Sequence, residues 1–252
     1  MPKPETKPKP SPSPSPKPKP PVSQPQPPAN SDPLPVGGPA GNWKLAFSDE
    51  FNGSSLDSSK WEDTWFGEGT TMNNVGTYSS NVEVKNGSVW LWLSSETRGA
   101  LIHTGYKPGH YQFPVGSYIE ARMYFPGSGT SVYNWPAFWV NSTRGYPASG
   151  EHDIAEGLGQ MTVNYHSPSG SHNQGVVPGI WTNAYHTYGL YRGSNRAKAY
   201  YNGQLVKQYN TDDDGRALDI IFNIGVPNHN RPTHIGRQYA IGIDYVRTWS
   251  PK

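Results

Sequence analysis

The sequence predicts an all-β protein, a sandwich of stacked antiparallel sheets carried behind a proline-rich arm. Three observations lead there. From Trp43 onward the chain runs in short segments of alternating apolar and polar residues, punctuated by Gly, Pro and Asn. No stretch sustains the apolar repeat of a helix, because Gly and Pro recur too often. The first 40 residues differ in kind from the rest: they hold 16 of the 26 prolines and no aromatic residue.

The arm comes first in the chain. Residues 1–36 alternate Pro with Lys and Ser, a pattern that favours extended polyproline II and cannot build a packed core. A spacer is the expected role; a proline-rich ligand for a partner domain is the rival. Residues 1–40 are therefore set apart as a disordered linker and residues 41–252 as the folded domain. The arm carries five lysines against two acids, whereas the remainder carries 16 basic and 17 acidic residues. The overall charge of +2 thus belongs to the arm, and it gives no reason to expect a nucleic-acid partner. About 210 residues suit one sandwich or barrel, with a core large enough to need no staples. Cysteine is absent, which excludes disulfides and thiolate metal sites. No apolar run approaches membrane-spanning length, and Met1-Pro-Lys leads into no signal core. Residence outside the cell is the expectation, as a secreted, surface-bound or virion-borne protein, and a monomer is expected.

Within the folded part, Val89, Leu91 and Leu93 interleave with Trp90 and Trp92. Ser117–Phe125 alternates cleanly, with Ile119, Ala121, Met123 and Phe125 on one face and Tyr118, Glu120, Arg122 and Tyr124 on the other. Trp135 and Trp139 share strand parity. They predict an aromatic-lined surface, since flat rings pack on the apolar faces of sugars. Asn202-Gly203, between two strand-like runs, predicts a two-residue hairpin turn. Asp219–Val226 sets Ile220, Phe222 and Ile224 against Asp219, Ile221 and Asn223.

The functional signal lies in Gly150-Glu151-His152-Asp153-Ile154-Ala155-Glu156-Gly157, three carboxylates within six residues of a chain only 16% charged. On a regular strand Glu151 and Asp153 share a face and Glu156 does not. A β-bulge in the 154–155 region would bring Glu156 to the same side. Such a constellation suits retaining glycoside hydrolysis, in which one carboxylate is the nucleophile and a second, roughly 5–5.5 Å away, is the acid/base. A third carboxyl between them can hold or share a proton. A solvated acidic edge would carry the same residues, and the motif alone favours that reading; the flanking sequence shifts the balance.

Several segments resemble family 16 of the glycoside hydrolases. They are Phe47-Ser48-Asp49-Glu50-Phe51-Asn52-Gly53, Gly116-Ser117-Tyr118-Ile119-Glu120-Ala121-Arg122, Trp135-Pro136-Ala137-Phe138-Trp139 and the acidic strand in its bulged form. Tyr188-Gly189, Tyr200-Tyr201-Asn202-Gly203, Ile220-Ile221-Phe222-Asn223 and Asp244-Tyr245-Val246-Arg247 follow in the family's order. The resemblance covers about residues 43–249, on its laminarinase, agarase and carrageenase side. It implies a concanavalin-like β-jelly-roll sandwich with a concave substrate cleft, and a β-glucan or related galactan as substrate. It further implies Glu151 as nucleophile, Asp153 as assisting carboxylate and Glu156 as acid/base. Trp135, Trp139, His166 and Asn223 are the substrate-binding candidates. No cofactor is implied for catalysis. Many relatives hold a structural calcium, and Asp244 stands at the position that contributes a carboxylate to it.

The chain departs from the pattern in places. His152 replaces an aliphatic residue and should face away from the cleft; a His152–Glu156 metal pair would need helical spacing. An Asn-Asn-Glu element appears only as Asn73-Asn74-Val75, and a Ser-Gly-Arg-Ile element as Gly99-Ala100-Leu101-Ile102. Both departures bear on which glycan is bound. His166 shares parity with Asn164 on the next strand, which would let it reach the cleft. A non-catalytic carbohydrate-binding module, a transglycosylase and a phage-associated depolymerase are the alternatives on the same fold.

Overall fold

A computed structural model describes residues 32–105, 107–142, 145–227 and 233–252. The expectation of a disordered arm over residues 1–31 lies outside the described residues. The architecture is the expected β-jelly-roll sandwich. One eight-stranded sheet runs Gln204–Asn210, Arg196–Tyr201, Tyr185–Arg192, Tyr118–Tyr124, Ile241–Pro251, Val89–Leu91 and Val82–Val84, with Trp43–Asp49 also paired to Ile241–Pro251. The other, which carries the carboxylates, runs Gly170–Val176, Met161–Ser167, Glu151–Gly157, Trp135–Asn141, Asp219–Gly225, Arg98–His103, Val75–Thr77 and Thr71–Met72. Pairing is antiparallel except between Val75–Thr77 and Arg98–His103. Helical content among the described residues is two short 3₁₀ turns.

The alternation read from the sequence sets the core. Ile119, Ala121, Met123, Val89, Leu91, Leu93, Ile220, Phe222 and Ile224 are all fully buried between the sheets. Phe138 and Phe222, on neighbouring strands, stack at 4.6 Å. Both residues of the Asn202-Gly203 turn have positive φ, 46° and 76°, which is what a two-residue hairpin with the right twist demands. The opening motif is structural here. Asp49 accepts from the Phe51 amide and from Trp61 Nε1, and Glu50 forms a two-point pair with Arg247 on the last long strand.

The bulge is present where the parity argument required it. Across one edge, Ala137 pairs with Glu156, Phe138 with Ala155 and Trp139 with Asp153, leaving Ile154 as the extra residue. Across the other edge, Asp153 pairs with Asn164 and Glu156 with Thr162. Glu151, Asp153 and Glu156 therefore share one face. The Ile154 carbonyl displaced from the ladder accepts a hydrogen bond from the Tyr201 hydroxyl at 2.9 Å. Tyr201 belongs to the opposite sheet, so its ring crosses the core to hold the bulge.

The folded body begins earlier than residue 41. Trp249 Nε1 donates to Pro33 O, Trp43 Nε1 to Pro39 O, and the Val36 amide to Glu120. Residues 33–39 lie over an aromatic patch of Tyr118, Tyr200 and Trp249 on the outer sheet. This contact explains why Tyr118 and Glu120, on the face read as outward, are buried.

Two measurements test these contacts. A chain beginning at Asn42 should be less stable to denaturant than one beginning at Asp32 by about 2–4 kcal/mol, since two buried groups lose partners. Equal midpoints would refute the early start. Tyr201→Phe should cost about 1–3 kcal/mol by orphaning the bulge carbonyl; an unchanged midpoint would remove Tyr201 from that role.

Candidate active site

The pairing register arranges the concave face in rows. Glu151 lies between His166 and Asn141, Asp153 between Asn164 and Trp139, and Glu156 between Thr162 and Ala137. Trp135, Ala137, Trp139 and Asn141 come from one strand and have equal parity, so all four present side chains to this face. They help line a cleft of about 580 Å³, together with Glu151, Asp153, Glu156, His166, Trp65, Met72, Asn73 and Tyr146. That size suits a short run of sugar residues rather than a single small ion.

Each outer carboxylate is held by donors. Asn141 Nδ2 donates to Glu151 Oε2 at 2.6 Å. Glu156 accepts from Trp135 Nε1 on Oε1 at 2.7 Å and from Asn164 Nδ2 on Oε2 at 2.6 Å. Asp153, the deepest of the three, lies 3.3 Å from His166 Nε2, which is 3.9 Å from Glu151. Burial raises the Glu151 carboxyl to about 8, assisted by the Asp153 charge and opposed by His166 and by the Asn141 hydrogen bond. Asp153 is raised well above its usual range by burial and then by Glu156. Crowded carboxyls of this kind share protons, so the titration belongs to the cluster. Asp153, where water is most thoroughly excluded, and Glu151 both hold protons into the neutral range.

The predicted residues fall into three groups. Glu151, Asp153, Glu156, Trp135, Trp139 and His166 are brought together at the cleft. Asn223 is not on the cleft surface: it is buried and accepts from Trp139 Nε1 at 2.8 Å, so it braces a tryptophan that lines the cleft. Asp244 is remote, paired with Arg122 at 2.5 Å, and the Arg122 guanidinium lies over the Tyr185 ring. Calcium wants six to eight oxygen ligands. Among the described residues, Asp244 belongs to no group of three His, Asp or Glu side chains able to share an ion, and a guanidinium already occupies one of its oxygens. Backbone carbonyls or water would have to supply the other ligands of the calcium that the resemblance implied. Among the described residues, the one group with such spacing is Glu151, Asp153 and His166, whose ligand atoms lie within 4.8 Å of one another.

Several residues at the cleft were not singled out as candidates from the sequence. Asn141 and Asn164 could have been found by parity, since each lies on the same strand face as a residue singled out. Trp65 and Tyr146 could not, because both sit in loops whose path depends on tertiary packing. Trp65 packs on Trp139 at 6.2 Å and on His103 at 5.4 Å. With Leu101, Ala137, Ile221 and Met72 these tryptophans form an apolar floor beside the carboxylates. Val75, at the site of the departed Asn-Asn-Glu element, is buried, while Asn74 Nδ2 donates to the Val226 carbonyl.

Comparison with known proteins bears on the family and the fold. The sequence model of the family described as Glycosyl hydrolases family 16 matches residues 46–232. Among solved structures, the laminarinase from Flavobacterium sp. UMI-01 is 23% identical with a TM-score of 0.65, over 82% of this chain and 100% of that one. The catalytic domain of an endo-1,3-β-glucanase (laminarinase) from Thermotoga petrophila RKU-1 is 21% identical with a TM-score of 0.64, over 84% and 100%. The endo-1,3-β-glucanase from Streptomyces sioyaensis is 20% identical with a TM-score of 0.65, over 86% and 99%. At such identities the likeness speaks for the fold. No curated protein matches the sequence. The family match, spanning most of the chain and all three carboxylates, establishes that this protein belongs to family 16 of the glycosyl hydrolases.

Proposed function

We propose that this protein is a retaining, endo-acting β-glycanase that cleaves a β-1,3-glucan or a related β-glucan or galactan by double displacement. The observation that carries the reading is the bulged strand, which puts Glu151, Asp153 and Glu156 on one face of an aromatic-lined cleft. Laminarinases and endo-1,3-β-glucanases among the relatives support the substrate class, and a polymer of this kind is met outside the cell.

Each residue then has a physical task. Glu156, when protonated, delivers its proton to the glycosidic oxygen as the bond breaks. Trp135 and Asn164 hold one oxygen each, fixing the plane of the carboxyl against the leaving group. Asn141 occupies Glu151 Oε2, which leaves Oε1 to attack the anomeric carbon and form the glycosyl-enzyme bond. Glu151 attacks as the carboxylate, after its proton has passed to solvent, and positive charge developing on the sugar favours that ionised form. Asp153, holding its proton between the two, limits repulsion in the cluster and can donate towards Glu151. Glu156 in its carboxylate form then activates water, and hydrolysis returns the anomeric configuration of the substrate. Trp135, Trp139 and Trp65 supply flat faces for the sugar rings.

The test is reducing-end release from a panel of β-glucans, agar and carrageenan by wild type and Glu151→Gln. Activity on one polymer, lowered about 10⁴-fold in the variant, is the expected outcome. Proton NMR of the first product should show the β-anomer, and an α-anomer would refute the retaining mechanism. Retained turnover in Glu151→Gln would remove Glu151 as nucleophile.

A second prediction follows from the crowding. The folded state holds the Glu151 proton up to about pH 8, against 4.5 for an unhindered carboxyl. A raised pKa means stability that is complete below about pH 4.5 and is lost as the pH rises towards 8. Glu151→Gln cannot ionise, so its melting temperature should match wild type at the acid end and exceed it increasingly towards pH 8. A difference independent of pH would contradict this account of the site.

A further inference from the structure

The residue between the two nucleophile-side carboxylates is the least expected in the chain. His152 has the opposite parity to Glu151 and Asp153, and its ring is fully buried on the core side of the strand. It does not sit among aliphatic neighbours. Its Nδ1 is 3.0 Å from the Tyr209 hydroxyl, and its Nε2 faces Asp213 Oδ2 across 3.5 Å. Arg192, also fully buried, donates to Asp213 Oδ1 at 2.6 Å and to the Arg216 carbonyl at 2.7 Å. Arg192 and Tyr209 belong to the outer sheet and His152 to the cleft sheet, so a polar chain crosses one end of the sandwich.

The chemistry fixes its direction. Burial lowers the His152 pKa and keeps the ring neutral, with one N–H to offer. Asp213 is an acceptor only: burial raises its pKa, but the neighbouring His152 ring and the Arg192 charge prevail and leave it ionised. With Nδ1 accepting from the Tyr209 O–H, the N–H sits on Nε2 and points at Asp213 Oδ2, although at 3.5 Å neither atom completes a hydrogen bond. Tyr165, the Cα partner of His152 on the strand that carries His166, lies against the same ring at 4.8 Å and donates to Asp212 at 3.0 Å. Both strands that bear the nucleophile-side groups are thus tied to the segment 209–216.

That segment also supports the cleft wall. The Asp214 amide donates to the Ala148 carbonyl, in the loop that carries Tyr146 into the cleft. Gly150, next to Glu151, has φ of +72° and lies so close to Asp213 that a Cβ there would meet Asp213 Cβ at 2.8 Å. Stability alone gives little reason for these residues, because a buried ion pair is often no better than apolar packing of equal volume. What a polar chain adds is a single ring orientation, and with it a single position for the backbone on either side.

We propose that Arg192, Asp213, His152 and Tyr209 form a positioning chain that sets Glu151 and Asp153, and the adjoining Tyr146 loop, in their catalytic arrangement. The proposal rests on the reading of Glu151 and Asp153 as reacting groups. None of the four touches substrate; each acts through the strand.

The experiment uses the full chain with His152→Leu, Asp213→Asn, Tyr209→Phe and the His152→Leu/Asp213→Asn pair, on the polymer that wild type cleaves. Each single variant should lose kcat about 10-fold or more, the scale on which small misplacements of reacting groups act, with KM within about twofold. The double variant should be no worse than the poorer single, since both break one chain. Tyr209→Phe removes only a hydroxyl and decides the matter if His152→Leu does not fold. Unchanged kcat with a lowered melting temperature would make the chain merely structural and overturn the proposal. A second readout is independent of activity: the carboxyl ¹³C resonances of Glu151 and Asp153 should shift in Tyr209→Phe. If wild type cleaves no glycan, the hydrolase reading fails on that result, and unmoved resonances would separately refute the positioning chain.

Discussion

Everything in the cleft depends on one extra residue in one strand. Without Ile154 as an extra residue in the strand, Glu156 would point into the core, and Glu151 and Asp153 would face the cleft without it. The bulge is not free. It takes a peptide carbonyl out of its pairing in a fully buried place, where an orphaned polar group is costly. The Tyr201 hydroxyl answers that need from the opposite sheet. The geometry of the three carboxylates is therefore a property of the whole sandwich, held across about 10 Å of core, and not of the acidic strand alone.

The same division of labour recurs around the bulge. Residues of one parity face the cleft and are fixed by neighbours on that face: Asn141 on Glu151, Asn164 and Trp135 on Glu156, Asn223 on Trp139. Residues of the other parity face inward and tie the strand to the outer sheet, through His152 towards Tyr209 and Asp213. A site built this way is stiff, and stiffness has an electrostatic cost. Glu151 and Asp153 are crowded and partly desolvated, so they hold protons that an open carboxylate would release. The fold tolerates that tension because the surrounding apolar core is continuous between the two sheets.

The outer sheet adds a second lesson about boundaries. Composition divides the chain near residue 40, where proline gives way to aromatic residues. Packing divides it earlier, because Trp249 and Glu120 take their partners from Pro33 and Val36. A proline-rich stretch has no core of its own, yet its carbonyls and amides can still complete someone else's. The distinction is invisible to composition, since it depends on which face of a distant strand lacks a cover.

By itself the sequence determined the strand content, the two faces of each long strand, the hairpin at Asn202-Gly203 and the three carboxylates with the bulge they require. These follow from local rules: period-two alternation, turn chemistry and the parity of a short acidic motif. Only the tertiary structure decided the rest. It brought Trp65 and Tyr146 from distant loops into the cleft, placed Asn223 behind Trp139 rather than on the surface, and paired Asp244 with Arg122. It also gave His152 its partners. Parity says which way a side chain points, but what it meets there is set by strands separated from it by tens of residues, and no local pattern encodes that meeting.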